Sequence, residues 1–282
     1  MIRLFASDLD GTLLARSHRF DALVVTAIQK IVSEGTFFTI ATGRDSNMSD
    51  LGEVENIVYK ICMNGALILD PEGKVLRKSV IDKEVLKEML EVLDDKDLEF
   101  ITPDKTYTRQ TEEEFFAKMK AMPVPDGEDV DVSKMFMERM AGRMVFSATD
   151  EMILESDACK INSHLQPGRS YNRLYKFLEK YSDMLVNAPC DKNLIEITAK
   201  GVNKGNAVSW LGKYLNVTED ETAVYGDGGN DLKMLSRFDH SYAPSTALDD
   251  AKYAANYQIG PYYEYSVTRH MLETIRKEKG SL

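Results

Sequence analysis

Short apolar runs alternate with amphipathic stretches at both ends of the chain. A run of four to eight apolar residues between turn signals predicts a buried strand, and apolar residues at helical spacing predict a helix. Strands are predicted over 2–8, 37–41, 57–63, 194–198, 222–226 and 240–243. Helices are predicted over 21–34, 203–215, 230–236 and 264–278. This alternation indicates an α/β fold, with a doubly wound parallel sheet covered on both faces.

The middle of the chain lacks that regular alternation. Its predicted helices cover 84–94, 112–121 and 170–181, and its predicted strands cover 98–102, 143–147 and 157–162. We interpret residues 83–190 as an α+β module inserted into the doubly wound domain. The outer domain is then predicted to comprise residues 1–82 and 191–282.

Composition restricts the possible partners. The 282 residues are 43% hydrophobic and 29% charged, with a formal net charge of −11. A broadly acidic surface argues against a nucleic-acid or anionic-membrane partner, but it does not exclude a phosphorylated small molecule. No apolar run approaches the length of a membrane span and no signal peptide is recognisable, so we expect a cytoplasmic protein. The three cysteines form no CxxC pair, which argues against zinc. The oligomeric state is left undetermined.

Two acids, Asp8 and Asp10, follow the first predicted strand. Open α/β sheets bind ligands outside the carboxyl ends of their strands. Carboxylates two positions apart repel each other unless a cation or a proton lies between them. The pair therefore indicates a metal-assisted acid site. An Asp-Gly turn beside a solvated acid is the alternative.

Two further sites suit phosphate oxygens. Thr42-Gly43-Arg44 follows the second strand and offers a hydroxyl and an open backbone N–H, although Thr-Gly turns are common in any protein. Lys204 opens a predicted helix, where its ammonium would bind phosphate or offset carboxylates. Solvated surface is the alternative for this lysine.

The fourth candidate site is the segment Gly226-Asp227-Gly228-Gly229-Asn230-Asp231, which follows the strand 222–226. Its glycines allow close approach of a ligand to the backbone. Asp227 is placed to ligate a hard cation through oxygen. Asn230 and Asp231 begin a helix, whose N-terminus favours anions. Asp231 acting only as a helix cap is the alternative.

The order Asp-x-Asp-Gly-Thr, Thr-Gly-Arg, Lys-Gly and Gly-Asp-x-x-Asn-Asp resembles the four motifs of the haloacid dehalogenase superfamily. The long insertion resembles the large α/β cap of its Cof-type sugar-phosphatase branch. The resemblance implies a Rossmann-like core and makes Asp8 the nucleophile that forms an aspartyl-phosphate. It also implies a Mg²⁺ ion held by Asp8, the Asp10 backbone carbonyl and Asp227. The Asp10 side chain would protonate the leaving group and activate water.

By the same resemblance, the groups that bind the phosphoryl oxygens are Thr42, the Gly43 N–H and Lys204. Asn230 would complete the phosphate or substrate contacts, and Asp231 would orient Lys204 or a metal-bound water. The function implied is a Mg²⁺-dependent phosphatase of small phosphomonoesters such as sugar phosphates. A phosphomutase and a non-catalytic sensor of phosphorylated ligands are the alternatives. In the inserted module the candidate substrate contacts, or ordinary surface residues, are Arg109, Asn162 and His164.

Overall fold

A computed structural model describes residues 1–15, 19–46, 51–94, 96–121, 142–163, 168–189 and 194–280. The chain divides into two compact units. The first comprises Met1–Ser79, Ala188–Asp191 and Gly201–Leu282, and the second comprises Val80–Asn187 and Lys192–Lys200. Within the described part of the chain, no helix is both long and apolar enough to cross a membrane.

The strands are numbered along the chain. They are β1 Leu4–Ser7, β2 Phe37–Ala41, β3 Tyr59–Cys62, β4 Leu67–Leu69, β5 Val75–Lys78, β6 Leu98–Ile101, β7 Thr106–Thr108, β8 Met144–Val145, β9 Lys160–Ser163, β10 Leu185–Asn187, β11 Ile195–Ala199, β12 Thr222–Tyr225, β13 His240–Pro244 and β14 Tyr257–Ile259. The helices are α1 Ala22–Ser33, α2 Lys83–Val92, α3 Glu112–Ala121, α4 Asp150–Glu155, α5 Arg169–Lys180, α6 Lys204–Tyr214, α7 Leu232–Leu235, α8 Asp249–Ala254 and α9 Ser266–Glu278.

The first unit is built on an eight-stranded sheet in the order β14-β13-β12-β1-β2-β3-β4-β5. The strands from β14 to β3 are parallel, and β4 and β5 add an antiparallel ribbon at one edge. The chain leaves β1 toward β2 and later returns to its other side at β12. The carboxyl ends of β1, β2 and β12 therefore meet where the winding direction reverses, which is the usual ligand position of such sheets.

Side chains of β1 alternate between the two faces of this sheet. Leu4 and Ala6 belong to a buried cluster that contains Val208 of α6. On the other face, the Phe5 ring lies 6.2 Å from that of Tyr225. The Tyr225 hydroxyl is hydrogen-bonded over 2.9 Å to Nδ1 of His270 in α9. Helices thus cover both faces of a parallel-rich sheet, and the predicted doubly wound fold class is confirmed.

The second unit contains a six-stranded sheet in the order β10-β11-β9-β6-β7-β8. Its strands pair antiparallel except for β7 and β8. Phe100, Ile161 and Ile197 share one apolar face and cluster with Leu86 of α2 and Phe177 of α5. The sheet therefore has helices packed on its apolar face.

Strand β11 corrects one detail of the sequence reading. The sequence predicts a strand over 194–198 in the outer domain, but β11 pairs with β9 and β10 and so lies in the second sheet. Its alternation of apolar Ile195 and Ile197 with polar Glu196 is typical of a one-sided antiparallel sheet. Glu196 lies on the opposite face from the apolar cluster, where it forms a buried ion pair with Lys160.

Candidate active site

The candidate residues of the first unit lie at the carboxyl ends of its central strands. Asp8 directly follows β1, Thr42 directly follows β2 and Asp227 lies two residues beyond β12. The Asp8 N–H donates to the Tyr225 carbonyl over 3.0 Å, which ties the first motif to the end of β12. Lys204 begins α6 next to its N-cap residue Asn203. The parallel register thus gathers residues more than 200 positions apart.

Lys204 is the central cation of this group. Its side chain has no exposed surface, and its Nζ donates to Oδ1 of Asp8 and Oδ1 of Asp231, each over 2.7 Å. Burial alone would lower the pKa of Lys204, but the two carboxylates outweigh burial and raise that pKa above its usual value. Lys204 is therefore held in its charged form, and it is not the solvated surface residue of the alternative reading.

Two acids near Lys204, Asp8 and Asp227, are harder to ionise than acids in water. Burial raises the pKa of Asp8 well above its usual value; Lys204 opposes this shift, and the neighbouring Asp231 and Asp227 reinforce it. Burial, together with Asp231, likewise raises the pKa of Asp227 to about 6, although its bond from Thr12 acts in the other direction. These buried carboxylates favour a further positive charge beside them.

The position of Asp227 depends on the first motif. A wide turn over Leu9–Leu13 follows Asp8, and within it the Thr12 hydroxyl donates to Oδ1 of Asp227 over 2.5 Å. Gly11 has a φ of +75°, and a Cβ there would lie only 2.3 Å from Oδ2 of Asp227. Glycine at this position therefore permits both the turn and the approach of the carboxylate.

Asp231 differs from Asp227 in that backbone N–H groups of its own loop donate to its carboxylate. Its Oδ2 accepts the backbone N–H groups of Asp227 and Gly228, each over 2.9 Å, while its Oδ1 accepts from Lys204. A Cβ on Gly226 would lie 2.5 Å from the Asp231 carboxyl carbon, so this loop packs directly on the acid. Both Asp231 oxygens are thus engaged in shaping the loop and in orienting Lys204.

The donor set fits a divalent cation. One carboxylate oxygen each from Asp8, Asp227 and Asp231 lies within 4.8 Å of the other two. When all three are ionised, their charge exceeds that of Lys204 by two, and oxygen ligands of this kind suit Mg²⁺. Both Asp231 oxygens already accept hydrogen bonds, whereas Lys204 engages one oxygen of Asp8 and Thr12 engages one oxygen of Asp227. Asp8 and Asp227 are therefore the better placed to ligate the ion.

Asp10 lies beside Arg44. Arg44 donates from Nε to Oδ2 of Asp10 over 2.9 Å and from Nη2 to Oδ1 over 2.5 Å. Both side chains are partly exposed, in contrast to Lys204. The bonds between Arg44 and Asp10 join the first and second motifs. Within the second motif, the Arg44 backbone N–H donates to the Thr42 hydroxyl over 3.1 Å. Gly43 lies between these two residues in the chain. A forked arginine contact of this kind fixes the orientation of the carboxylate.

Asn230 also makes a contact across the fold. Its Nδ2 donates to Oδ1 of Asn64 over 3.0 Å. The sequence reading assigned roles to neither Asn64 nor Thr12, and it gave Arg44 none beyond its place in a motif. Thr12 and Arg44 stand inside the recognised motifs, and that position is the signal that points to them. Asn64 directly follows the strand predicted over 57–63, and strand ends are where this fold places its ligand-binding residues.

Three residues of the inserted unit, Arg109, Asn162 and His164, are candidate substrate contacts from the sequence. Arg109 donates to Asp150 over 2.8 and 2.6 Å and to the carbonyls of Leu90 and Leu93, so it joins α2 and α4. Asn162 lies on β9, and its buried Oδ1 has no hydrogen-bond donor among the residues that the structure describes. The third candidate, His164, lies outside the described residues.

Comparison with known proteins identifies the family. The family model of haloacid dehalogenase-like hydrolases matches residues 5–271, which is nearly the whole chain. The chain belongs to this family. The superfamily expected from the four motifs is thereby confirmed, as is the expectation of a hydrolase.

Individual relatives match almost the full length of this chain. Phosphatase YwpJ of Bacillus subtilis is 27% identical over 275 residues, covering 90% of this chain and 93% of its own length. The Escherichia coli 5-amino-6-(5-phospho-D-ribitylamino)uracil phosphatase YbjI is 25% identical over 264 residues, covering 92% of this chain and 91% of its own length. A solved haloacid dehalogenase-like hydrolase from B. subtilis superposes with a TM-score of 0.79 at 26% identity, covering 96% and 99% of the two chains.

Proposed function

We propose that this protein is a Mg²⁺-dependent phosphatase that hydrolyses small phosphomonoesters through an aspartyl-phosphate on Asp8. The observation that carries the proposal is the grouping of three buried residues, Asp8, Lys204 and Asp231, with the half-buried Asp227 at the carboxyl ends of the central strands. A nucleophilic carboxylate beside a buried ammonium suits attack on phosphorus, since the ammonium offsets the charge of an anionic substrate. Phosphatases among the relatives support the same chemistry.

In the first step, an Asp8 carboxylate oxygen bonds to phosphorus and the bond from phosphorus to the leaving alkoxide breaks. Asp10 gives its proton to that alkoxide, and in the second step it takes a proton from the water that attacks phosphorus and releases Asp8. Arg44 sets the direction of the Asp10 carboxylate through its two hydrogen bonds, and one of these bonds must open when Asp10 carries a proton. Inorganic phosphate is the product.

The remaining groups bind rather than react. Lys204, the Thr42 hydroxyl and the Gly43 N–H are proposed to hold the transferring phosphoryl oxygens, and Asn230 is proposed to contact the phosphate or the rest of the substrate. Asp231 keeps Lys204 in place through the 2.7 Å bond. Nothing in these groups chooses among phosphate esters, so the leaving group must be selected elsewhere.

The proposed metal ligands are Asp8, Asp227 and the backbone carbonyl of Asp10. Bound Mg²⁺ would supply charge neutralisation for the approach of one anion to another. Thr12 supports this role by holding Asp227 through the 2.5 Å bond. The site also suits other small divalent ions, and a comparison of Mg²⁺ with Mn²⁺ and Ca²⁺ would establish the preference.

Substrate choice is proposed to reside in the inserted unit, as the resemblance implies. Sugar phosphates are the leading class. The phosphoribityl substrate named for the E. coli relative is a second candidate for testing. The cytoplasm stays the predicted location.

The test is a phosphate-release screen with Mg²⁺ over sugar phosphates, nucleotides, cofactor phosphates and an aryl phosphate. We expect release from at least one class, loss of release with EDTA and its absence in Asp8→Asn. An Asp8→Asn variant with near-wild-type turnover would contradict the mechanism. Interconversion of phosphate isomers without net release would instead indicate a mutase, and no release from any compound would favour a sensor.

A further inference from the structure

Asn64 occupies a buried turn among the phosphate-binding motifs. It lies in the turn Met63–Gly65 at the carboxyl end of β3, beside the carboxyl end of β2 where Thr42 lies, and only 3% of its surface is exposed. Its backbone N–H donates to the Thr42 carbonyl over 3.0 Å. Its side-chain Oδ1 accepts from Asn230 over 3.0 Å. Asn64 therefore contacts two residues that are proposed to bind the substrate.

The backbone of this turn is held in an unusual conformation. Met63 and Asn64 have φ values of +52° and +57°, and Gly65 follows at +105°. A Cβ on Gly65 would lie 2.7 Å from the Asn203 carbonyl, next to the start of α6. Left-handed backbone at non-glycine residues is retained where the surroundings impose it, and such positions cluster at ligand sites. The turn is thus fixed between the second motif and the helix that begins with Lys204.

The Asn64 side chain has a donor group, its amide NH2, without an acceptor among the described residues. Its Nδ2 is buried and has no hydrogen-bond acceptor among the residues that the structure describes. The amide oxygen Oδ1 already accepts a hydrogen bond from Asn230, so the oxygen of this amide is paired and its nitrogen is not. Buried amide donors in proteins are nearly always paired, and an unpaired one calls for a partner outside the residues that the structure describes.

We propose that Asn64 is a substrate-binding residue whose Nδ2 donates a hydrogen bond to an oxygen of the substrate phosphate. The inference rests on the proposed phosphatase function and extends it by one residue. A phosphate oxygen is a strong acceptor, and an amide donor binds it without adding charge to the acid cluster. The contact through Oδ1 gives Asn64 the further role of holding Asn230 beside the same ligand.

The test measures binding of inorganic phosphate by calorimetry in the presence of Mg²⁺. Asn64→Gly removes the amide and keeps a residue suited to left-handed backbone. We expect a loss of roughly tenfold or more in phosphate affinity, as for a hydrogen bond to a charged group. Asn216 is a matched control, because it has a φ of +55° on an exposed turn, and Asn216→Gly should bind phosphate as the wild type does.

A double-mutant cycle separates direct contact from support of Asn230. In an Asn230→Ala background, Asn64→Gly should still weaken phosphate binding. If it has no effect there, Asn64 acts only through Asn230 and the proposal is wrong. Should Asn64→Gly fail to fold, Asn64→Asp decides, since it keeps an acceptor for Asn230 and replaces the donor. Wild-type phosphate affinity in Asn64→Asp would overturn the proposal.

Failure of this inference is distinguishable from failure of the proposed function. The calorimetric experiment reports phosphate binding, whereas the function is tested by phosphate release from esters. A wild-type protein that binds phosphate but releases none would contradict the phosphatase and leave the Asn64 contact measurable. Unaltered phosphate binding in the Asn64 variants, with active wild-type enzyme, would contradict only the Asn64 contact.

Discussion

Replacing Gly11 with alanine would show whether the Asp227 carboxylate must lie against the backbone of the first motif. Gly11 has a φ of +75°, and the added Cβ would lie 2.3 Å from Oδ2 and 2.8 Å from Cγ of Asp227. The Asp227 side chain must therefore move. We expect its 2.5 Å bond from Thr12 to break as a result.

The expected loss of stability has two parts. Left-handed backbone costs a non-glycine residue about 1–2 kcal/mol. A lost hydrogen bond to a charged group adds about 1.5–3 kcal/mol, so the free energy of unfolding should fall by about 2.5–5 kcal/mol in Gly11→Ala. Gly35 supplies the matched control, because it has a φ of +84° with no atom within 4 Å of its built Cβ. Gly35→Ala should therefore lose only the backbone part, about 1–2 kcal/mol.

The assay is urea unfolding of both variants with and without Mg²⁺. A ligand that binds only the folded state raises its stability according to the ligand's affinity. Gly35→Ala should keep the Mg²⁺-induced stabilisation of the wild type, and Gly11→Ala should lose most of it. The reasoning is refuted if the two variants lose equal stability and respond equally to Mg²⁺.

Two further predictions concern the charges of the site. Lys204→Met leaves Asp8 and Asp231 without their buried cation and should lower the free energy of unfolding by about 3–5 kcal/mol. Lys213 lies at an exposed position of the same helix, so Lys213→Met should change the free energy of unfolding by less than about 0.5 kcal/mol. Equal effects of the two variants in urea unfolding would contradict the assigned role. The folded-state pKa of Asp227, about 6, lies above its usual value of 3.8, so this group's contribution to the stability of metal-free protein is lost as pH rises across that interval. Mg²⁺ competes with the same proton, so its effect on the melting temperature should grow from about pH 5 to about pH 7.5, and a pH-independent effect would contradict this assignment.

Local pattern predicted elements better than it predicted their partners. The strand over 37–41 and the helix over 112–121 agree with the structure at both ends. The pattern of β11 fits a strand in either sheet, because apolar alternation reports a buried face and not the identity of the neighbouring strand. The short β4 follows Asn64-Gly65 after a single residue, and three apolar residues form too brief a run to predict a strand.

In the candidate site, too, individual residues were easier to predict than the contacts between them. Asp8, Lys204, Asp227 and Asp231 are candidates because of their places at strand ends and helix starts, and the resemblance to the haloacid dehalogenase motifs gives them their roles. The hydrogen bond from Thr12 to Asp227 spans 215 positions, and the one between Asn230 and Asn64 spans 166. No local pattern encodes such a pairing, because it results from the register of parallel strands rather than from neighbouring residues.

The central claim is that Asp8 carries the phosphoryl group during turnover. The most direct measurement is acid quenching of the wild-type enzyme during hydrolysis of its best substrate, followed by mass spectrometry of the proteolytic peptides. The account predicts one phosphoryl group on Asp8, and none on the corresponding peptide of Asp8→Asn. Steady phosphate release with no phosphorylated peptide, or with the phosphoryl group on another residue, would contradict it.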